Sequence, residues 1–195
     1  MTIIIFKKDN LFIRDMKIDL TKFIEYILLV ILKVPGKIIP RDNNIWVFGS
    51  NLGMTLMDNS KHMMFYVKEN NPKIRCVWLT SNYELSSDLR NRGIEAYPLR
   101  SLRGFFISLR AKVFFTSYGY GDINKMAYCG GKVFHFWHGT ALKFLNSNFN
   151  FKKNVQYLLF GGRNHYLLTK SKESAEKINK IFKIKKDHIY ITGSP

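Results

Sequence analysis

Apolar residues gather into short β-branched and aromatic runs separated by amphipathic stretches and turn residues. Runs at 45–48 (IWVF), 74–80 (IRCVWLT), 95–99, 111–116 (AKVFFT), 132–137 (KVFHFW), 166–169 and 189–192 predict strands, bounded by Gly, Asn, Pro and Ser. Helical patterns lie between them. One runs from Asp58 or Asn59 through Glu69 to the stop Asn70-Asn71-Pro72, and a short polar one over 86–92 ends at Gly93. Another is capped by Ser101, with Leu102, Phe105, Phe106 and Leu109 at i, i+3, i+4 and i+7, which predicts a stripe facing a sheet. A weakly helical stretch covers 155–160. The last helix opens on Ser171, with Glu173 in its first turn and Ala175, Ile178 and Ile181 or Phe182 on one face. Strands alternating with helices of about ten residues require right-handed crossovers, so the expected fold is α/β, a Rossmann-like doubly wound parallel sheet.

An amphipathic helical segment is expected before that sheet. Residues 19–34 read as a helix ended by Pro35-Gly36, and 40–44 as a polar hinge, which divides the chain into a segment 1–44 and a domain 45–195. The apolar run 23–32 (FIEYILLVIL) contains Glu25 and is half the ~20 residues that a membrane span needs. Its flanks carry Lys17, Lys22, Lys33, Lys37 and Arg41. Those features fit a helix lying on an anionic membrane surface, and equally a helix packed against protein. Residues 1–10 do not form a secretory signal.

Composition narrows the partners. An apolar fraction of 46% over 195 residues supports a folded core, and a formal charge of +17 favours anionic ligands. Cys76 and Cys129 have neither metal-type spacing nor a disulfide framework. No zinc-finger, helix-turn-helix or RNA-binding signature is present, so nucleic acid is not an expected partner.

The candidate chemistry sits where strands end, the edge at which open α/β sheets bind ligands. His138 follows the run 132–137 and precedes Gly139, which permits a turn; Thr140 and Lys143 complete the segment WHGTALK. A proton acceptor, a hydroxyl and a cation within one turn suit phosphate chemistry, while a histidine capping a structural turn is the other reading. His135 and His138, three apart on a strand, point to opposite faces and make a poor metal pair. Gly49 and Ser50 begin a loop (GSNLG) between strand and helix, without the Lys-Ser/Thr of a P-loop. Ser117, Gly119 and Asp122 lie in a second such loop (SYGYGD), where glycines permit close approach and the carboxylate is available to accept a hydroxyl; a solvated loop is the alternative.

The strings IWVFGS, DNSKHMMFYVKENNPKIRCVWLT, LRAKVFFTSYGYGD, WHGTALK and IYITGSP, in this order, resemble the CDP-glycerol glycerophosphotransferase family of teichoic acid polymerases and primases. The resemblance covers about residues 45–195. It implies the amino-terminal, acceptor-side half of a GT-B fold, with His138 as general base and Gly139 and Thr140 completing its motif; Ala141 stands where a proline is common. It further implies transfer of glycerol phosphate from CDP-glycerol to an anionic polyol-phosphate acceptor on a lipid carrier, at the cytoplasmic face of the membrane. CDP-glycerol is then the donor substrate of the complete enzyme, with no cofactor bound by this chain. The nucleotide-binding carboxyl-terminal domain is expected after the TGSP turn or on a second chain, leaving this polypeptide inactive alone. The alternatives are a ribitol-phosphate or glycosyl transferase of wall or capsule synthesis, or a non-catalytic module binding anionic membrane or polymer.

Overall fold

The structure, a computed structural model, describes residues 38–125, 127–136, 164–182 and 184–193. Seven parallel strands form one sheet: β1 (Asp42–Gly49), β2 (Arg75–Thr80), β3 (Ala96–Pro98), β4 (Ala111–Thr116), β5 (Lys132–His135), β6 (His165–Thr169) and β7 (Ile189–Ile191). Their spatial order is β3-β2-β1-β4-β5-β6-β7, so the direction of winding reverses between β1 and β4. The helices are α1 (Asp58–Asn70), α2 (Tyr83–Asn91), α3 (Leu102–Arg110) and α4 (Lys172–Phe182). The predicted doubly wound α/β fold is present. The expected helix at 19–34 and the stretch 155–160 lie outside the described residues.

The central strands are continuous apolar runs because both of their faces are covered. Val47, Val77, Leu79, Phe114 and Val133 point to one face, where Ile107 of α3 packs. Phe48, Trp78 and Phe115 point to the other, against Met64 and Val67 of α1 and Leu89 of α2. On this second face Phe48, Phe115, Phe134 and Tyr166 stack in sequence across neighbouring strands, with centroids 5.0, 5.2 and 4.8 Å apart. Ile178 of α4 packs on Leu167.

Three elements depart from the sequence expectation, each for a local reason. β1 begins at Asp42, so most of the expected hinge belongs to the sheet. Arg41, just before it, donates from its guanidinium to the carbonyls of Ser108, Ala111, Ala127 and Cys129 and lies over the Phe114 ring. Burial lowers its pKa to about 10. Helix α2 starts at Tyr83 because the Asn82 side chain accepts the Leu85 amide at 3.1 Å.

The third departure is a rotation. Ser101 caps α3 as expected, accepting from the Gly104 amide, but the helix turns its small residues, Gly104 and Ser108, inward along with Leu109. A Cβ on Gly104 would stand 2.4 Å from the Pro98 carbonyl oxygen, so the backbone is held too close for a larger residue there. Leu102 and Phe106 consequently face solvent, 77% and 60% exposed.

Candidate functional site at the strand ends

The loops leaving β1 and β4 meet at the carboxyl edge of the sheet, where its winding reverses. Their meeting point is Asp122. Its side chain is fully buried, with Oδ1 accepting the Leu52 amide at 2.7 Å and Oδ2 accepting the amides of Ser117 at 2.9 Å and Tyr118 at 2.6 Å. One carboxylate thus ties both loops together. Burial raises its pKa; the amides of Tyr118, Leu52 and Ser117 work against that shift, and nearby Asp58 adds to it.

Glycines make the contact possible. A Cβ on Gly49 would lie 2.0 Å from the Asp122 carbonyl oxygen, and Gly119 has φ 99 and ψ −155, open only to a residue without a side chain. Asn51, Leu52 and Asp58 also have positive φ, at 49, 55 and 61, so the β1 loop is held in a strained path. Buried Ser50 donates to the Asp58 carboxylate at 3.1 Å. Ser117 Oγ accepts the Ser60 amide at 3.1 Å and lies 2.9 Å from Ser60 Oγ, capping α1 from another loop. Ser50, Ser117 and Asp122 therefore engage the protein's own groups, and Gly49 and Gly119 provide the close approach. Of the sequence-predicted residues, these five are brought together; His138, Gly139, Thr140 and Lys143 lie outside the described residues.

Beside this clamp, sequence reasoning missed a buried polar chain on the face shared with α3 and α4. Thr116 Oγ1 lies 3.0 Å from His135 Nδ1, His135 Nε2 lies 3.1 Å from His165 Nδ1, and Tyr120 Oη lies 3.2 Å from that same nitrogen. Which ring nitrogen donates in each contact depends on the tautomers of His135 and His165. Burial, reinforced by the neighbouring His165, holds the His135 pKa well below the usual histidine value. His188 Nδ1 donates to the His165 carbonyl at 3.0 Å. The sequence carried a hint: His135 lies in one predicted strand, and His165 immediately precedes the run predicted as the next. Among the described residues no group of three or more His, Cys, Asp or Glu is arranged to hold a metal ion.

Parallel strands, helices on both faces and tightly joined loops at the carboxyl edge define a Rossmann-like α/β protein. The particular family follows from sequence: residues 34–195 match the model of CDP-glycerol:poly(glycerophosphate) glycerophosphotransferase, and the chain belongs to that family. None of the curated proteins matches it by sequence. Among solved structures it is similar to the wall teichoic acid polymerase TagF, with TM-score 0.60 at 16% identity over 92% of this chain and 46% of that one. A TagF histidine-to-asparagine variant soaked with CDPG gives TM-score 0.60 at 15% identity, over 94% and 49% of the two chains. These likenesses carry the fold. The chain spans about half the length of the structures it matches.

Proposed function

We propose that this chain is the acceptor-side half of a glycerophosphotransferase, which transfers glycerol phosphate from CDP-glycerol to a polyol-phosphate acceptor of the teichoic acid type. Family membership and the TagF-like fold support the reading. The observation that carries it is the position of β5. This strand lies beside β4, whose loop holds the Asp122 clamp, and ends at His135, three residues before His138 in sequence.

In this mechanism His138 takes the proton from a terminal acceptor hydroxyl. That oxygen attacks the β-phosphorus of CDP-glycerol, the new P–O bond forms as the pyrophosphate bond breaks, and CMP leaves. Lys143, Thr140 and the backbone at Gly139 hold acceptor phosphates, while the clamped loops after β1 and β4 fix the floor on which the acceptor lies. The donor binds in the part of the relatives' length that this chain does not span, so both halves face one cleft in a GT-B arrangement. The basic segment 1–44 keeps the enzyme on the anionic, cytoplasmic face of the membrane, where a lipid-linked acceptor is found. Among the described residues no helix is long and apolar enough to cross a membrane.

The test is CMP release from CDP-glycerol with a polyol-phosphate acceptor, using this chain together with a nucleotide-binding half. His138→Ala is expected to lower turnover by about 100-fold or more, the range for loss of a general base. A folded His138→Ala protein with unchanged turnover would remove His138 from the mechanism. Faster turnover of CDP-ribitol than of CDP-glycerol would reassign the donor.

A further inference from the structure

We infer that the solvent face of α3 is a membrane-docking surface that seats the domain on an anionic bilayer. The inference deepens the membrane part of the proposed function and rests on that reading, yet it is drawn from a different element than segment 1–44. Helix α3, LRGFFISLR, contains no acidic residue. Its outward face combines Leu102 and Phe106, one turn apart and 77% and 60% exposed, with the exposed cations Arg103 and Arg110. Arg100, also exposed, extends the basic rim just before the Ser101 cap.

Apolar side chains on a helix that is already anchored by its opposite face gain nothing from water. Leu102 and Phe106 are available because Gly104 and Ser108 take the inward positions and bring the helix backbone close to the sheet. Leucine and phenylalanine that can enter the acyl boundary, rimmed by arginines that meet lipid phosphates, are the chemistry of an interfacial helix. The sign of the charge selects the partner, since arginines on a helix that carries no acidic residue favour an anionic over a zwitterionic surface.

Position gives the contact a purpose. The first turn of α3 follows β3 at the carboxyl edge of the sheet, and Asn124, next to the clamped loop, donates to the Leu99 carbonyl at 2.8 Å. The exposed Leu102 turn is therefore fixed to the edge that carries the strand-end loops. A domain docked through α3 holds that edge beside the bilayer, within reach of an acceptor whose lipid end stays in the membrane.

The experiment uses the full chain with single thiols introduced by Leu102→Cys and, separately, Phe106→Cys, each carrying an environment-sensitive fluorophore. Labelling at pH 7 favours these exposed sites, because burial raises the Cys76 thiol pKa to about 11 and Cys129 is buried. Tyr83→Cys, on α2 across the sheet and 63% exposed, is the control. With phosphatidylglycerol vesicles, labels at 102 and 106 should shift to the blue and be quenched by brominated acyl chains, while the label at 83 stays solvent-like. Arg103→Glu and Arg110→Glu should each weaken vesicle partitioning about fivefold or more, and pure phosphatidylcholine should give little binding.

A chain that sediments with vesicles while the labels at 102 and 106 remain unshifted overturns the α3 surface and leaves attachment through segment 1–44 standing. A chain that does not sediment with anionic vesicles overturns both. Equal shifts at 83 and 102 also overturn the proposal, because docking would then have no defined face.

Discussion

Removing the Asp122 carboxylate is the sharpest test of how the strand-end loops are held. Asp122→Ala leaves the amides of Leu52, Ser117 and Tyr118 without the acceptor that they meet at 2.7, 2.9 and 2.6 Å. Hydrogen bonds to a charged group contribute roughly 1.5–3 kcal/mol each, but burying the carboxylate takes back a large part, in the direction its raised pKa records. We expect a net loss of about 3 kcal/mol, a shift of about 1.5 M in the urea midpoint for an m value near 2 kcal/mol/M. Asp122→Asn separates the two loops. Its amide oxygen can replace Oδ2 and keep Ser117 and Tyr118, but its NH2 group then faces the Leu52 N–H, donor against donor. Native-state hydrogen exchange should therefore lose protection at Leu52 in the Asn variant and at all three amides in the Ala variant. A loss below about 0.5 kcal/mol for Ala, or unchanged Leu52 exchange in Asn, would refute the clamp.

The other expectations concern single positions. Gly49→Ala places a Cβ 2.0 Å from the Asp122 carbonyl oxygen, a backbone atom, and should cost about 3 kcal/mol or more; Gly93→Ala, with φ 74 and nothing within 4 Å, should cost only about 1 kcal/mol, both read by urea melts. For His135 the folded pKa lies well below the unfolded value near 6.5, so the unfolded state binds the extra proton and stability is lost as pH falls below about 6.5. The slope approaches ~1.4 kcal/mol per pH unit for this group, and His135→Gln should flatten it when urea midpoints at pH 7.5 and 5.5 are compared; an unchanged slope would reject the buried neutral ring. Arg41→Met removes the donor to four carbonyls and should lower the midpoint by the equivalent of about 3 kcal/mol, whereas a near-neutral result would mean that Arg41 is not an anchor.

The strands were legible because a parallel strand covered on both faces has to be a continuous apolar run, and IRCVWLT and AKVFFT are such runs. The start of β1 was not, since Asp42, Asn43 and Asn44 lie at the less buried end of the sheet, where polar residues can extend a strand. The face of α3 misled for a different reason. Periodicity weighs large apolar side chains, yet the sheet is approached by Gly104 and Ser108, whose small size is the asset. Asp122 illustrates what single-chain reading leaves open about a site: in SYGYGD it reads as a carboxylate available to a ligand hydroxyl or as part of a solvated loop, because one of its partners is the amide of Leu52, 70 positions away. The His135–His165 contact joins strands 30 positions apart, so a histidine in one strand and another just before the next gave no more than a hint of it.

Three amides from two loops converging on one carboxylate make an anion hole, and the protein has filled it with its own side chain. The seam of a doubly wound sheet, elsewhere a berth for a ligand's negative charge, is here occupied from within by a residue that behaves as a permanent internal ligand. The loops after β1 and β4 therefore take their shape when the chain folds, held by a group that no exchange with solvent can carry away.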